Sequence, residues 1–134
     1  MPKSPGAEPV WLEVDEVLAI HETVLSEYGG LGGVRDEGLL ASALDRPRNK
    51  RAYEETADLH VLAAAYGFRL AKNHPFADAN KRTAFQAMFV FLHVNGLELV
   101  ADEAEAVITM VRLAAGKLPE AKLAAWLRRN TKPR

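Results

Sequence analysis

His74-Pro75-Phe76-Ala77-Asp78-Ala79-Asn80-Lys81-Arg82, followed without a break by the apolar-periodic residues 83–95, organises this 134-residue chain. Pro75 disfavours helix at His74, whereas Phe85, Met88, Phe89 and Leu92 recur at helical spacing. The spacing predicts a loop that enters a helix near Asn80 or Lys81. A helix start carries unpaired N–H groups and a partial positive charge, both of which suit phosphate. Lys81 and Arg82 in the first turn oppose that dipole, so something negative is expected to compensate for them. Asp78 is a hard oxygen donor of the kind Mg2+ accepts beside nucleotide phosphates, and His74 supplies an imidazole suited to general-base work. Taken singly, these residues have plainer readings: an N-cap for Asp78 or Asn80, a core staple for Phe76, a polar loop residue for His74, a solvated face for Lys81 and Arg82. In this order and together they point to chemistry on an anion.

Upstream, Leu59, Leu62, Ala63, Tyr66 and Leu70 trace a helix stripe that begins at Ala57 or Asp58 and ends at Asn73, delivering His74. The small residues 63–65 and Gly67 predict close packing in a crowded centre. Residues 81–95 are apolar almost all round, as a central helix is, and Asn95-Gly96 ends them. Further out, Val17, Ile20 and Val24 mark a helix closed by Tyr28-Gly29-Gly30; His21 on it has no ligand-like neighbour and reads as a satisfied or solvated histidine. The glycine-rich residues 29–33 lack the Lys-Ser/Thr of a P-loop and read as a helix end and turn. Asp36 then caps a short helix burying Leu39, Leu40 and Ala43. Residues 45–51 are the strongly basic segment, and Pro47 and Asn49 mark it as a loop.

Downstream, Leu97-Glu98-Leu99-Val100 reads as an extended link. Asp102 caps a helix through Val107, Met110, Val111 and Ala114, and Pro119 opens a last helix through Leu123, Trp126 and Leu127. Val10-Trp11-Leu12 either adds one strand or pins the terminus. The expectation is an all-α single domain of about six helices over residues 10–128, with at most a short β element in the basic segment or at the N-terminus. Residues 1–9 are expected to be disordered and residues 129–134 to form a loose basic tail.

Seventeen Lys and Arg against eighteen Asp and Glu give a net charge of −1, so the chain lacks the overall basic character of a nucleic-acid binder. The absence of cysteine excludes disulfides, thiolate metal sites and cysteine nucleophiles, and fits a reducing cytoplasm. No apolar run approaches the roughly 18 residues of a membrane span, and the start is not signal-like. A chain of this length buries roughly two-thirds of its unfolded surface, enough for one domain.

Residues 74–82 resemble the signature loop of the Fic/Doc family, His-Pro-Phe-x-Asp/Glu-Gly/Ala-Asn-Gly/Lys-Arg, and most of all its Doc (death-on-curing) branch. Tyr28-Gly29-Gly30-Leu31, with Arg35-Asp36 after it, extends the likeness upstream. The resemblance implies an all-helical Fic fold with the loop between two central helices, and ATP with Mg2+ as cofactors. It also implies roles: His74 as base, Phe76 as core anchor, Asp78 as metal ligand, and Asn80, Lys81 and Arg82 as phosphate-handling residues. By position, Arg48, Asn49, Lys50, Arg51 and Tyr53 match the family's target-positioning flap, which in some members acts by strand addition.

One departure bears on the reaction. Adenylyl-transferring members typically carry glycine where this chain has Ala79 and Lys81, and glycine at the second place lets backbone approach phosphate closely. In the Doc branch the substitution goes with a reversed nucleotide pose that presents the γ-phosphate. The resemblance thus implies a bacterial, cytoplasmic toxin of a type II toxin–antitoxin pair, a Ser/Thr protein kinase that acts on elongation factor Tu and blocks translation. Pro75 is shared with the adenylyl-transferring pattern, which keeps adenylyl transfer to a protein hydroxyl as the alternative. No inhibitory string of the form Ser/Thr-x-x-x-Glu-Gly/Asn is present; residues 23–27 come closest but are followed by Tyr28. The implied brake is a Phd-like antitoxin whose disordered C-terminal segment folds on binding.

Overall fold

The computed structural model describes residues 8–54 and 56–134, so the expectation for residues 1–7 lies outside the described residues. The chain runs α1 (Val14–Tyr28), α2 (Glu37–Tyr53), α3 (Leu59–Asn73), α4 (Asn80–Val94), β1 (Leu97–Leu99), α5 (Glu103–Ala114), α6 (Glu120–Arg129) and β2 (Thr131–Pro133). The all-α expectation holds, with six helices among the described residues. None of them is long and apolar enough to cross a membrane.

α3 is the hub, packed against α2, α4, α5 and α6. Its residues 62–67 are all buried, and small side chains let neighbours come close. Gly67 is the extreme case: a Cβ there would lie 2.3 Å from the Met88 sulfur, so the Met88 side chain would have to move to admit one. Tyr66, Phe91, Leu62, Leu70, Met88 and Leu92 fill the space between these elements. Each such large apolar side chain contributes roughly 2 kcal/mol on burial. The loop joining α3 to α4 is therefore anchored at both ends by the most deeply packed helices.

Residues 10–12 pin the terminus rather than adding a strand. The Leu12 N–H donates to the Tyr66 hydroxyl (3.0 Å), and the buried Asn95 side chain accepts from Val10 N–H and donates to Val10 O. Burial pushes the Tyr66 hydroxyl up to about 12 against the lowering pull of the Leu12 N–H, so it stays neutral near pH 7.

Four sequence expectations fail here. Residues 45–51 are not a loop: α2 runs on through Pro47 to Tyr53. Proline inside a helix loses one backbone bond, but Pro47 is buried, and Lys50 and Arg51 sit in the last turn, where cations complement the dipole. The short β element is in neither the basic segment nor the N-terminus. It pairs β1 with β2 antiparallel, Leu97 opposite Pro133, Glu98 opposite Lys132 and Leu99 opposite Thr131. Residues 131–133 are thus a strand rather than a loose tail, tied further by the His60 ring nitrogen Nε2 at 2.7 Å from Thr131 Oγ1. Pro119, finally, stands at the N-cap of α6 rather than inside its first turn.

Candidate functional site

His74 caps the end of α3 and Ala79 the start of α4, and both adopt the left-handed backbone conformation (φ 49 and φ 64). Among the described residues they are the only non-glycines with positive φ. That conformation costs an L-residue roughly 1–2 kcal/mol, so surrounding contacts must impose it.

Those contacts are specific. The loop forms a bridge in which Arg35 N–H donates to Pro75 O (2.7 Å) and Ala77 N–H to Gly33 O (3.1 Å). The Arg35 side chain caps the end of α3, its Nε donating to His74 O (2.8 Å) and its Nη2 to Asn73 O (3.0 Å). Phe76 is buried, 1% exposed, as its expected anchoring place requires. Asn80 turns back on the loop: its Oδ1 accepts from Phe76 N–H (3.0 Å) and its Nδ2 donates to Phe76 O (3.1 Å). That side chain shapes the loop with both of its polar groups. His74 itself is exposed at the surface.

The carboxylate of Asp78 is also exposed. Ala79 N–H donates to its Oδ1 (2.8 Å) and Leu31 N–H to its Oδ2 (3.2 Å). These two donors, helped by His21 and Lys81, hold the carboxyl below its ordinary value. Gly30 is required beside it, because a Cβ there would stand 2.8 Å from Asp78 Oδ2 at a φ of +125. Among the described residues no three His, Asp or Glu side chains converge as a metal centre. An exposed, ionised carboxylate such as that of Asp78 is a hard oxygen donor of the kind a divalent cation accepts.

Every helix except α4 has a carboxylate at its N-cap or in its first turn, with Asp36, Asp58 and Asp102 accepting backbone bonds at α2, α3 and α5. α4 has neither a side-chain cap nor an acidic first turn. Lys81 and Arg82 stand exposed there instead, Arg82 with its guanidinium 3.8 Å from the centre of the Tyr28 ring. A cavity of about 440 Å³ opens beside them, lined by Tyr28, Lys81, Arg82, Phe85, Phe89 and Met110 among others. A second cleft, about 510 Å³, lies between α2 and α6 and includes no residue of the loop.

The described bonds of the basic segment lead away from His74 and Asp78. Arg48 pairs with Glu13 and lies over the Trp11 ring, Lys50 pairs with Glu54 and Glu120, and Arg51 donates to Ala57 O. Asn49 is exposed, and Tyr53 is 90% exposed. Sequence reading missed His21, Tyr28, Leu31 and Arg35 as parts of the site. The upstream likeness at residues 28–36 was the available signal for three of them.

A helical domain with this loop between its central helices belongs to the Fic/Doc family, whose profile matches residues 11–92. Within that family the chain falls in the Doc branch. It is similar to the protein kinase Doc of Escherichia phage P1, 38% identical over 115 residues that cover 86% of this chain and 90% of that one. It is also similar to the toxin Doc of Mycolicibacterium smegmatis, 46% identical over 79 residues that cover 56% of this chain and 58% of the relative.

Proposed function

We propose that this protein is a bacterial, cytoplasmic Doc-type toxin that transfers the γ-phosphoryl group of ATP to a Ser or Thr hydroxyl of a translation factor, elongation factor Tu by likeness to the branch. The observation that carries this reading is the start of α4. Among the described helices it is the one with no carboxylate at its N-cap or in its first turn, and two exposed cations, an ionised Asp78 and the exposed His74 surround it. Bound ATP with Mg2+ would supply the phosphoryl donor and the negative charge this helix start lacks.

In this reading Asp78 holds the metal, while Lys81, Arg82 and the first N–H groups of α4 hold phosphate oxygens. Lys81 in place of glycine adds a cation where the outermost phosphate is expected. Asn80 contributes by holding Phe76 and the loop around it. His74 would accept the proton of the attacking hydroxyl as its oxygen bonds to the γ-phosphorus and the bond from that phosphorus to the β-phosphate oxygen breaks, releasing ADP. Such transfers depend mainly on positioning and charge stabilisation, so a pre-shaped loop is what the chain must provide. The acceptor is met at the end of α2, where Tyr53 and Asn49 face outward; Arg48, Lys50 and Arg51 shape that end. A Phd-like antitoxin segment is the expected inhibitor. Val107 and Val111, about half exposed on α5, border the cavity beside Arg82 and give an apolar segment a place to fold.

The test uses purified protein, Mg2+ and a bacterial lysate. The wild type labels a discrete protein band from γ-labelled ATP, whereas His74→Ala binds ATP as well as the wild type and transfers at least about 100-fold less. Full transfer by His74→Ala overturns the role given to this residue.

A further inference from the structure

His21 has no part in the mechanism above. It is 3% exposed, on the face of α1 that carries Leu25 and Tyr28 at helical spacing. Its ring lies flat on Phe76, with centroids 3.9 Å apart and planes within 9°. Its Nε2 stands 3.0 Å from the backbone carbonyl of Asp78. A carbonyl only accepts, so Nε2 carries the hydrogen.

This bond holds one end of the peptide joining Asp78 to Ala79. The other end, Ala79 N–H, donates to Asp78 Oδ1. Rotating that peptide breaks both bonds and moves a carboxylate whose second oxygen is held by Leu31 N–H. Ala79 also occupies a conformation that alanine does not keep unaided. We propose that His21 is a positioning residue: by holding the Asp78–Ala79 peptide it sets the direction of the Asp78 carboxylate and the start of α4. This rests on the proposed role of Asp78 in the site.

Two variants separate the N–H donor from the ring. His21→Phe keeps a flat ring against Phe76 and loses the donor; His21→Gln keeps an N–H donor of similar reach and loses the ring. Melting temperature, amide hydrogen exchange of residues 77–81 and transfer rate at varied Mg2+ are measured on both. The Phe variant is expected to melt within a few degrees of wild type. Its exchange over residues 77–81 is expected to rise about tenfold or more. Transfer is expected to fall roughly 10- to 100-fold, with more Mg2+ needed for half-maximal rate. The Gln variant is expected to recover exchange protection and to transfer within about threefold of wild type. Wild-type exchange in the Phe variant, or equal losses in both variants, overturns the proposal. If the wild-type protein transfers nothing, the proposed function fails, and the exchange comparison still decides the positioning claim.

Discussion

Ala79 shows how one residue carries the strain of the loop. Its φ of 64 is one that glycine adopts freely and alanine does not. Ala79→Gly removes a left-handed penalty of roughly 1–2 kcal/mol and adds roughly 0.5–1 kcal/mol of lost unfolded-state restriction. The variant is therefore expected to be more stable by up to about 1.5 kcal/mol. Chemical denaturation measures this, and a clear loss of stability contradicts the account of the loop. At this scale the residues of the proposed site stood out in sequence because they are contiguous, from His74 to Arg82. His21 and Arg35 did not, because the loop atoms they hold lie 57 and 39 residues further along the chain. Asn80 stood out as a member of the set, but the hold of its side chain on Phe76 depends on the loop's fold.

At the scale of elements, helix starts were readable wherever an aspartate stood before an apolar stripe, as at Asp36, Asp58 and Asp102. Asp58 permits a quantitative test. Burial pushes its carboxyl up, but the Val61 N–H and the Arg128 guanidinium (2.8 Å) outweigh this and hold it below its ordinary value. A group that binds its proton more weakly in the folded state stabilises the fold above its ordinary value. That stabilisation is lost as pH falls through the lowered value. Asp58→Ala is expected to cost about 1 kcal/mol near neutrality, and the gap from wild type is expected to narrow below about pH 4. Denaturation curves at several pH values check this; a gap that persists unchanged in acid contradicts it. The end of α2 was misread because Pro47 and a run of cations look like a loop in sequence. The burial of Pro47 and the place of the cations at a helix C-terminus depend on neighbours that no local window contains.

At the scale of the molecule, the number of helices and the central pair were legible from periodicity, whereas the pairing of β1 with β2 was not. Residues 97 and 133 are partners across two intervening helices, and Thr131–Pro133 has little strand character by itself. Deleting residues 131–134 removes that pairing and the His60–Thr131 contact. It is expected to lower the melting temperature by about 5 °C, corresponding to roughly 1–2 kcal/mol. ATP affinity is expected to stay at its wild-type value, since no bond joins β2 to the loop; an affinity that falls with stability contradicts this separation. All of this architecture serves one claim, that the turn between α3 and α4 seats a nucleotide with its outermost phosphate toward His74. The direct measurement incubates the protein, Mg2+ and its acceptor with ATP labelled at either the γ- or the α-phosphate. The account predicts label on the acceptor from the γ position alone, and label from the α position alone would contradict it.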